Sequence, residues 1–221
     1  MVALLVLLTF AVFITVDVLF HREKYRFRVA NSAAAPAKPS TAPVAGGVAL
    51  PEGLSYHPGH TWARDEGNGR IRVGLDEFAA SLLGRIQTVD VPQRGRWFRQ
   101  GEKGWTVQTE RGEMPMLAPA EGEIVVINDK ALQNTETISE DPYGNGWLLE
   151  IFSPDTQVSF RNLLSGAFAR RWMEESVLEL RQAISPGALA TALDGGRISP
   201  QVGTELPPDK WREVTRQFFR S

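Results

Sequence analysis

The chain of 221 residues contains no cysteine and only three histidines, His21, His57 and His60. Disulfides, iron–sulfur clusters and thiol nucleophiles are therefore excluded, and a histidine-rich metal site cannot be assembled. The absence of cysteine fits a reducing compartment. No phosphate-binding glycine loop and no nucleophile motif occurs. Charge excess is missing too. The 24 Lys and Arg against 26 Asp and Glu leave a net charge of −2, which gives no electrostatic footprint for nucleic acid. What is present in quantity is apolar surface, 43% of residues, enough for one or two small domains with a core.

From Val2 to Phe20 charge is absent except at Asp17. A helix of about 20 such residues crosses the hydrocarbon core of a bilayer. No positive charge precedes the run, while His21, Arg22, Lys24, Arg26 and Arg28 follow it at once. That asymmetry predicts one span over residues 1–21, with the remainder on the cytoplasmic side of the inner membrane. A cleaved signal peptide would carry positive charge before a shorter apolar run, and a core helix would show a polar face. Ala30 to Gly47 is Ala, Pro, Ser and Thr with little else, too poor in apolar groups to fold. Residues 22–50 therefore read as a basic flank and a linker.

Residues 51–155 read as short strands broken by Gly and Pro. Arg70–Gly74, Gln87–Val91, Gly104–Thr109, Gly122–Asn128 and Gly146–Phe152 are the expected strands, and Asp76–Leu83 is a helix ending at Gly84. This predicts a mainly β barrel or sandwich with one short helix. Residues 156–221 carry helical periodicity, over Ser159–Ile184 with Phe168 in its apolar set, and over Pro208–Phe219 with Trp211, Val214 and Phe218 on one face. This helical extension either packs on the barrel or docks another subunit.

The central region resembles the glycine cleavage H proteins. Tyr56-His57-Pro58-Gly59-His60-Thr61-Trp62 is similar to that family's His-x-Trp opening. Val73-Gly74-Leu75-Asp76-Glu77-Phe78-Ala79 is similar to its strand-to-helix segment, and Ala118-Pro119-Ala120-Glu121-Gly122 to its Ser-Pro-x-x-Gly strand. Glu140-Asp141-Pro142-Tyr143-Gly144-Asn145-Gly146-Trp147-Leu148 matches its most recognisable stretch nearly residue for residue. The resemblance implies a barrel–sandwich hybrid of the lipoyl-domain type. It also implies a lysine at the tip of a β-hairpin whose amine carries lipoate, an arm that shuttles an aminomethyl group between partner enzymes.

That lysine is not present. Counting back from Pro119 and forward from Gly101 places the family's modified position at Arg111, flanked by Gln108, Glu110 and Gly112. A guanidinium stays protonated and is not acylated under ordinary conditions. Lys103 and Lys130 lie off the tip. Arg111 reads either as an exposed charge at a turn or as a fixed cation with which the tip docks a partner. Met114 and Met116, on one face of the hairpin, read as core. His57 and His60, with no third ligand, read as structural or capping residues rather than a metal site. Asp76-Glu77 and Glu140-Asp141 fall at a helix start and a turn, so they do not form a hydrolase pair. No cofactor and no enzyme activity is expected. The leading functional expectation is a membrane-tethered protein-binding or scaffold module. The alternative is a lipoyl carrier of glycine cleavage modified at another lysine.

Overall fold

The computed structural model describes residues 44–184, 193–194, 197–199 and 202–220. The apolar run at residues 1–21 and most of the linker lie outside the described residues. Among the described residues no helix is long and apolar enough to cross a membrane.

The strands are β1 (Val44–Ala45), β2 (Val48–Ala49), β3 (Ser55–His57), β4 (Thr61–Gly67), β5 (Arg70–Leu75), β6 (Ile86–Asp90), β7 (Trp97–Phe98), β8 (Lys103–Thr109), β9 (Gly112–Leu117), β10 (Gly122–Ile127), β11 (Leu149–Phe152), β12 (Leu193–Asp194) and β13 (Arg197–Ile198). The helices are α1 (Glu77–Leu83), α2 (Asp129–Gln133), α3 (Glu136–Glu140), α4 (Thr156–Arg161), α5 (Gly166–Ala183), α6 (Val202–Glu205) and α7 (Pro208–Phe219). An antiparallel sheet in the order β3-β4-β5-β11-β10-β7 faces a three-stranded sheet in the order β6-β8-β9. The period-two pattern of β5 explains the layering: Ile71, Val73 and Leu75 are buried, whereas Arg70 and Arg72 alternate outward. Trp62, Phe98 and Trp105 are buried in the same core.

Three expectations are corrected. The linker does not run to residue 50. Val44–Ala49 turns back through Gly46 (φ 60°) and Gly47 (φ 95°) and pairs Val44 with Ala49. Ala45 and Val48 bury there, with β1 against α5 and β2 against α1. A Cβ on Gly46 would lie 2.9 Å from Val177 Cβ, so only glycine fits that approach. The strand expected from Gly146 begins at Leu149, because residues 141–147 form a loop closed by Asp141. The long helix expected from Ser159 is two helices, α4 and α5. Leu164 leaves the helical path to exchange two backbone hydrogen bonds of 2.8 Å with Tyr56. On α5 the buried stripe is Ala169, Met173, Val177 and Leu180, and Phe168 stands beside it at 79% exposure.

Strands β3, β4 and β9 were not legible as strands. Pro115 lies within β9, where its missing N–H is tolerated because β9 is an edge strand. The helix α1 forms as expected. The Asp76 side chain accepts from Ala79 N at 2.7 Å as its N-cap, and Gly84 at φ 70° ends it. The extension packs on the barrel: α5 lies against β1 and β3, α6 against α1, and α7 against β9 and α1.

Candidate functional site

Strands β8 and β9 form a hairpin in which Thr109 pairs with Gly112, leaving Glu110 and Arg111 as the two turn residues. Gly112 at φ 137° permits the turn, and the Thr109 hydroxyl donates to Gly112 O at 2.9 Å and accepts from Arg111 N at 3.2 Å. Met114 and Met116 are buried below the tip, as the hairpin spacing predicts.

Of the two readings of Arg111, the exposed charge at a turn does not hold. The residue is half-buried, and its guanidinium donates from Nη1 to the carbonyl of Leu206 and from Nη2 to the carbonyl of Thr204. Those carbonyls lie at and just beyond the end of the single-turn α6, where backbone acceptors can take donors from outside the helix. Two neighbouring contacts seat this tail. A Cβ on Gly203 would fall 2.1 Å from Leu82 O, so the α6 backbone rests directly on the end of α1. Trp211, on α7 and fully buried, donates its indole N–H to the same Leu82 carbonyl at 2.9 Å. Its ring comes within 4.0 Å of a Cβ placed on Gly112. The other tip residues are less engaged. Glu110 is exposed and 3.6 Å from the exposed Arg85, a pair worth little in water. Gln108 reaches Asp90 at 3.2 Å and Glu113 at 3.3 Å. Lys103, at the far end of β8, and Lys130, on α2, are exposed and away from the turn.

The remaining residues singled out in the sequence build the frame rather than a reactive centre. His60 Nδ1 lies 2.9 Å from Asp76 Oδ2, both buried, and its ring stacks on Phe78 at 4.1 Å and leans on Trp172 at 4.6 Å. Trp62 donates its indole N–H to Pro142 O at 3.1 Å. Its ring lies 2.9 Å from where a Cβ on Gly74 would be, so that position has no room for a side chain. The Tyr143 hydroxyl accepts from Glu77 N at 3.0 Å and donates to Ala49 O at 2.8 Å. Burial, reinforced by Asp76, pushes its phenol well above the ordinary tyrosine value, which keeps that donor protonated. Asp141 accepts from the backbone N–H of Gly144 at 3.1 Å and of Asn145 at 2.7 Å. Trp147 lies under the Arg72 guanidinium at 4.9 Å. Pro119 is buried and its carbonyl accepts from Gln100 at 2.8 Å, while Gly122, at φ 159°, leaves 2.6 Å between an added Cβ and Phe152 O.

Two outcomes follow locally. A Cβ on Gly146 would meet Thr137 O and Asp141 O at 2.7 Å. Gly146→Ala should therefore cost about 1–3 kcal/mol by overpacking, read as a lower urea midpoint at unchanged slope. His57 accepts from Gly59 N through Nδ1 at 3.0 Å, and burial, then Arg220, lower its pKa from the ordinary value near 6.5. The unfolded chain then takes up the proton more readily than the folded one. Stability should fall as pH drops through about 6.5 and level off below the folded value. A His57→Gln variant should show a shallower decline on acid titration.

The His57–His60 pair has separate partners, and among the described residues no group of three His, Asp or Glu side chains could hold a metal. The contact that sequence reasoning missed is the tail over the tip. Arg111 and its acceptors are 93 and 95 residues apart, and no local pattern announces such a pairing.

The sequence model of the glycine cleavage H-protein matches residues 54–176. The chain is 36% identical over 107 residues to the glycine cleavage system H protein of Idiomarina loihiensis, covering 48% of this chain and 83% of that protein. It is 37% identical over 126 residues to the H protein of Herpetosiphon aurantiacus, covering 57% and 95%. The crystal structure of a glycine cleavage system H protein from Mycobacterium marinum superposes with a TM-score of 0.50 at 29% identity, covering 57% of this chain and 98% of that one. The framework that holds the hairpin, from His60 and Trp62 to the Asp141–Trp147 loop, falls within the matched residues, and the chain belongs to the glycine cleavage H-protein family.

Proposed function

We propose that this chain is a non-lipoylated H-protein module that acts as a protein-binding or scaffold subunit, held at the cytoplasmic face of the membrane by its apolar N-terminus. The observation that carries the reading is Arg111. It occupies the hairpin turn that the family resemblance assigns to the modified lysine, and its guanidinium is committed to two backbone carbonyls. Lipoate does not fit this tip: an amide link requires a primary amine, and arginine offers a permanently protonated guanidinium instead. The alternative, a lipoyl carrier modified elsewhere, would require Lys103 or Lys130, and neither lies at a turn that could swing an arm. Membership in the family also sets the chain apart from enzymes. It offers a surface to other proteins rather than a reactive centre.

The membrane part of the reading rests on residues 2–20 and the basic cluster after them. Full-length protein should sediment with membranes and resist carbonate extraction, whereas recovery in the soluble fraction would contradict the anchor. Protease added from the cytoplasmic side should cut first before Val44, since the composition of the Ala/Pro-rich tether offers few large apolar residues with which to form a protecting core. In cells lacking their own H protein, this chain should fail to restore glycine cleavage.

A further inference from the structure

The contacts around Arg111 concern regulation of the tip as well as its identity. We propose that residues 202–219 are a releasable cap that closes the hairpin tip to other proteins, with Arg111 as its latch. This inference rests on the reading of that turn as the family's modification site.

Three observations support it. The latch is polar and half-buried: two charge-assisted hydrogen bonds run from one side chain of the tip to two carbonyls of the tail. The seat is a close backbone approach, in which Gly203 rests on Leu82 O where no Cβ has room. The grip is aromatic. Trp211 is hydrogen-bonded to Leu82 O, and Phe218 packs edge-on against Phe78 at 5.0 Å, so the tail lies across α1 and the hairpin together. A protein that grasps the tip must first displace the groups that hold Arg111. By linkage, anything that lifts the tail makes the tip available. The open form would expose Trp211 and Phe218, an apolar surface suited to a bound partner rather than to water.

Hydrogen exchange on the full-length protein tests the latch. Arg111→Ala should lower protection across residues 202–219 by about 100-fold or more, the loss expected for two hydrogen bonds to a charged group. The amides of β4, β5 and β11 should be unchanged. Arg85→Ala, which removes only the exposed partner of Glu110, should leave the tail protected. Unchanged tail protection in Arg111→Ala would overturn the latch. Gly203→Ala, which disturbs the seat without touching the tip, should reproduce the local loss. If both variants lose protection throughout the barrel, the tail is an integral part of the fold and the cap is overturned.

Incubation with a lipoate-attaching enzyme separates this inference from the reading beneath it. Arg111→Lys alone should accept lipoate poorly, because the ammonium can still bind the tail carbonyls, and Arg111→Lys with Gly203→Ala should accept it at least about tenfold faster. Equal acceptance by both would overturn the cap while upholding the position. Acceptance by neither, with the tail shown loosened by exchange, would uphold the latch and overturn the assignment of the position.

Discussion

Trp62→Ala should leave the domain barely stable or unfolded at room temperature. The Trp62 side chain is fully buried, rests against the backbone of Gly74, and donates its indole N–H to Pro142 O at 3.1 Å. Emptying such a site costs about 3–5 kcal/mol in transfer and cavity terms. The Pro142 carbonyl also loses its donor, which adds about 1 kcal/mol or more. Domains of this kind have about 5–15 kcal/mol in total, so the loss takes much of the margin. The effect should extend to the Asp141–Trp147 loop, since Trp62 ties that loop to β4 through this hydrogen bond and through the Tyr143 ring, 6.2 Å away. Trp62→Phe should keep most of the packing and fall between the two. Urea denaturation followed by far-ultraviolet circular dichroism measures it. A midpoint for Trp62→Ala close to that of the unaltered protein would show that this tryptophan does not organise the barrel.

The second large effect is expected at Asp76. One carboxylate oxygen caps α1 through Ala79 N at 2.7 Å, and the other holds His60 Nδ1 at 2.9 Å, both in the interior. Asp76→Ala removes the cap, worth about 1 kcal/mol. It also leaves the imidazole without its partner among Phe78, Trp172 and Phe218, a further cost of about 1–3 kcal/mol. Asp76→Asn preserves the shape and an acceptor for the cap, so it should lose clearly less. Thermal unfolding at neutral pH distinguishes them. If the two variants melt together, the His60 contact contributes nothing and the stacking alone holds the ring.

The β framework was readable from local pattern wherever one face of a strand is buried. Ile71, Val73 and Leu75 alternate cleanly, and Asp76 and Gly84 bracket α1 as start and stop residues. Legibility failed where tertiary pairing overrides pattern. Val44–Ala49 is short, built of small residues and split by two glycines, so it carries no strand pattern, yet it folds because Gly46 lets the backbone approach Val177. Leu164 interrupts an otherwise helical stretch because Tyr56 offers it two hydrogen bonds. At the candidate site, spacing along the chain locates the residue but not its environment. The sequence shows Arg111 between Glu110 and Gly112, a pattern typical of an exposed turn, while its carbonyl partners come from a tail more than ninety residues away. Gly203, which makes that approach sterically possible, looks like any other glycine in a loop.

What most needs testing is that this chain carries no lipoyl group. The most direct measurement is the intact mass of the full-length protein, purified from cells in which the lipoate-attaching enzymes are active, together with a peptide map across residues 103–130. The expected result is the mass of the unmodified chain, with Lys103 and Lys130 free. A lipoyl adduct on either lysine would contradict it and restore the chain to the working carriers of its family.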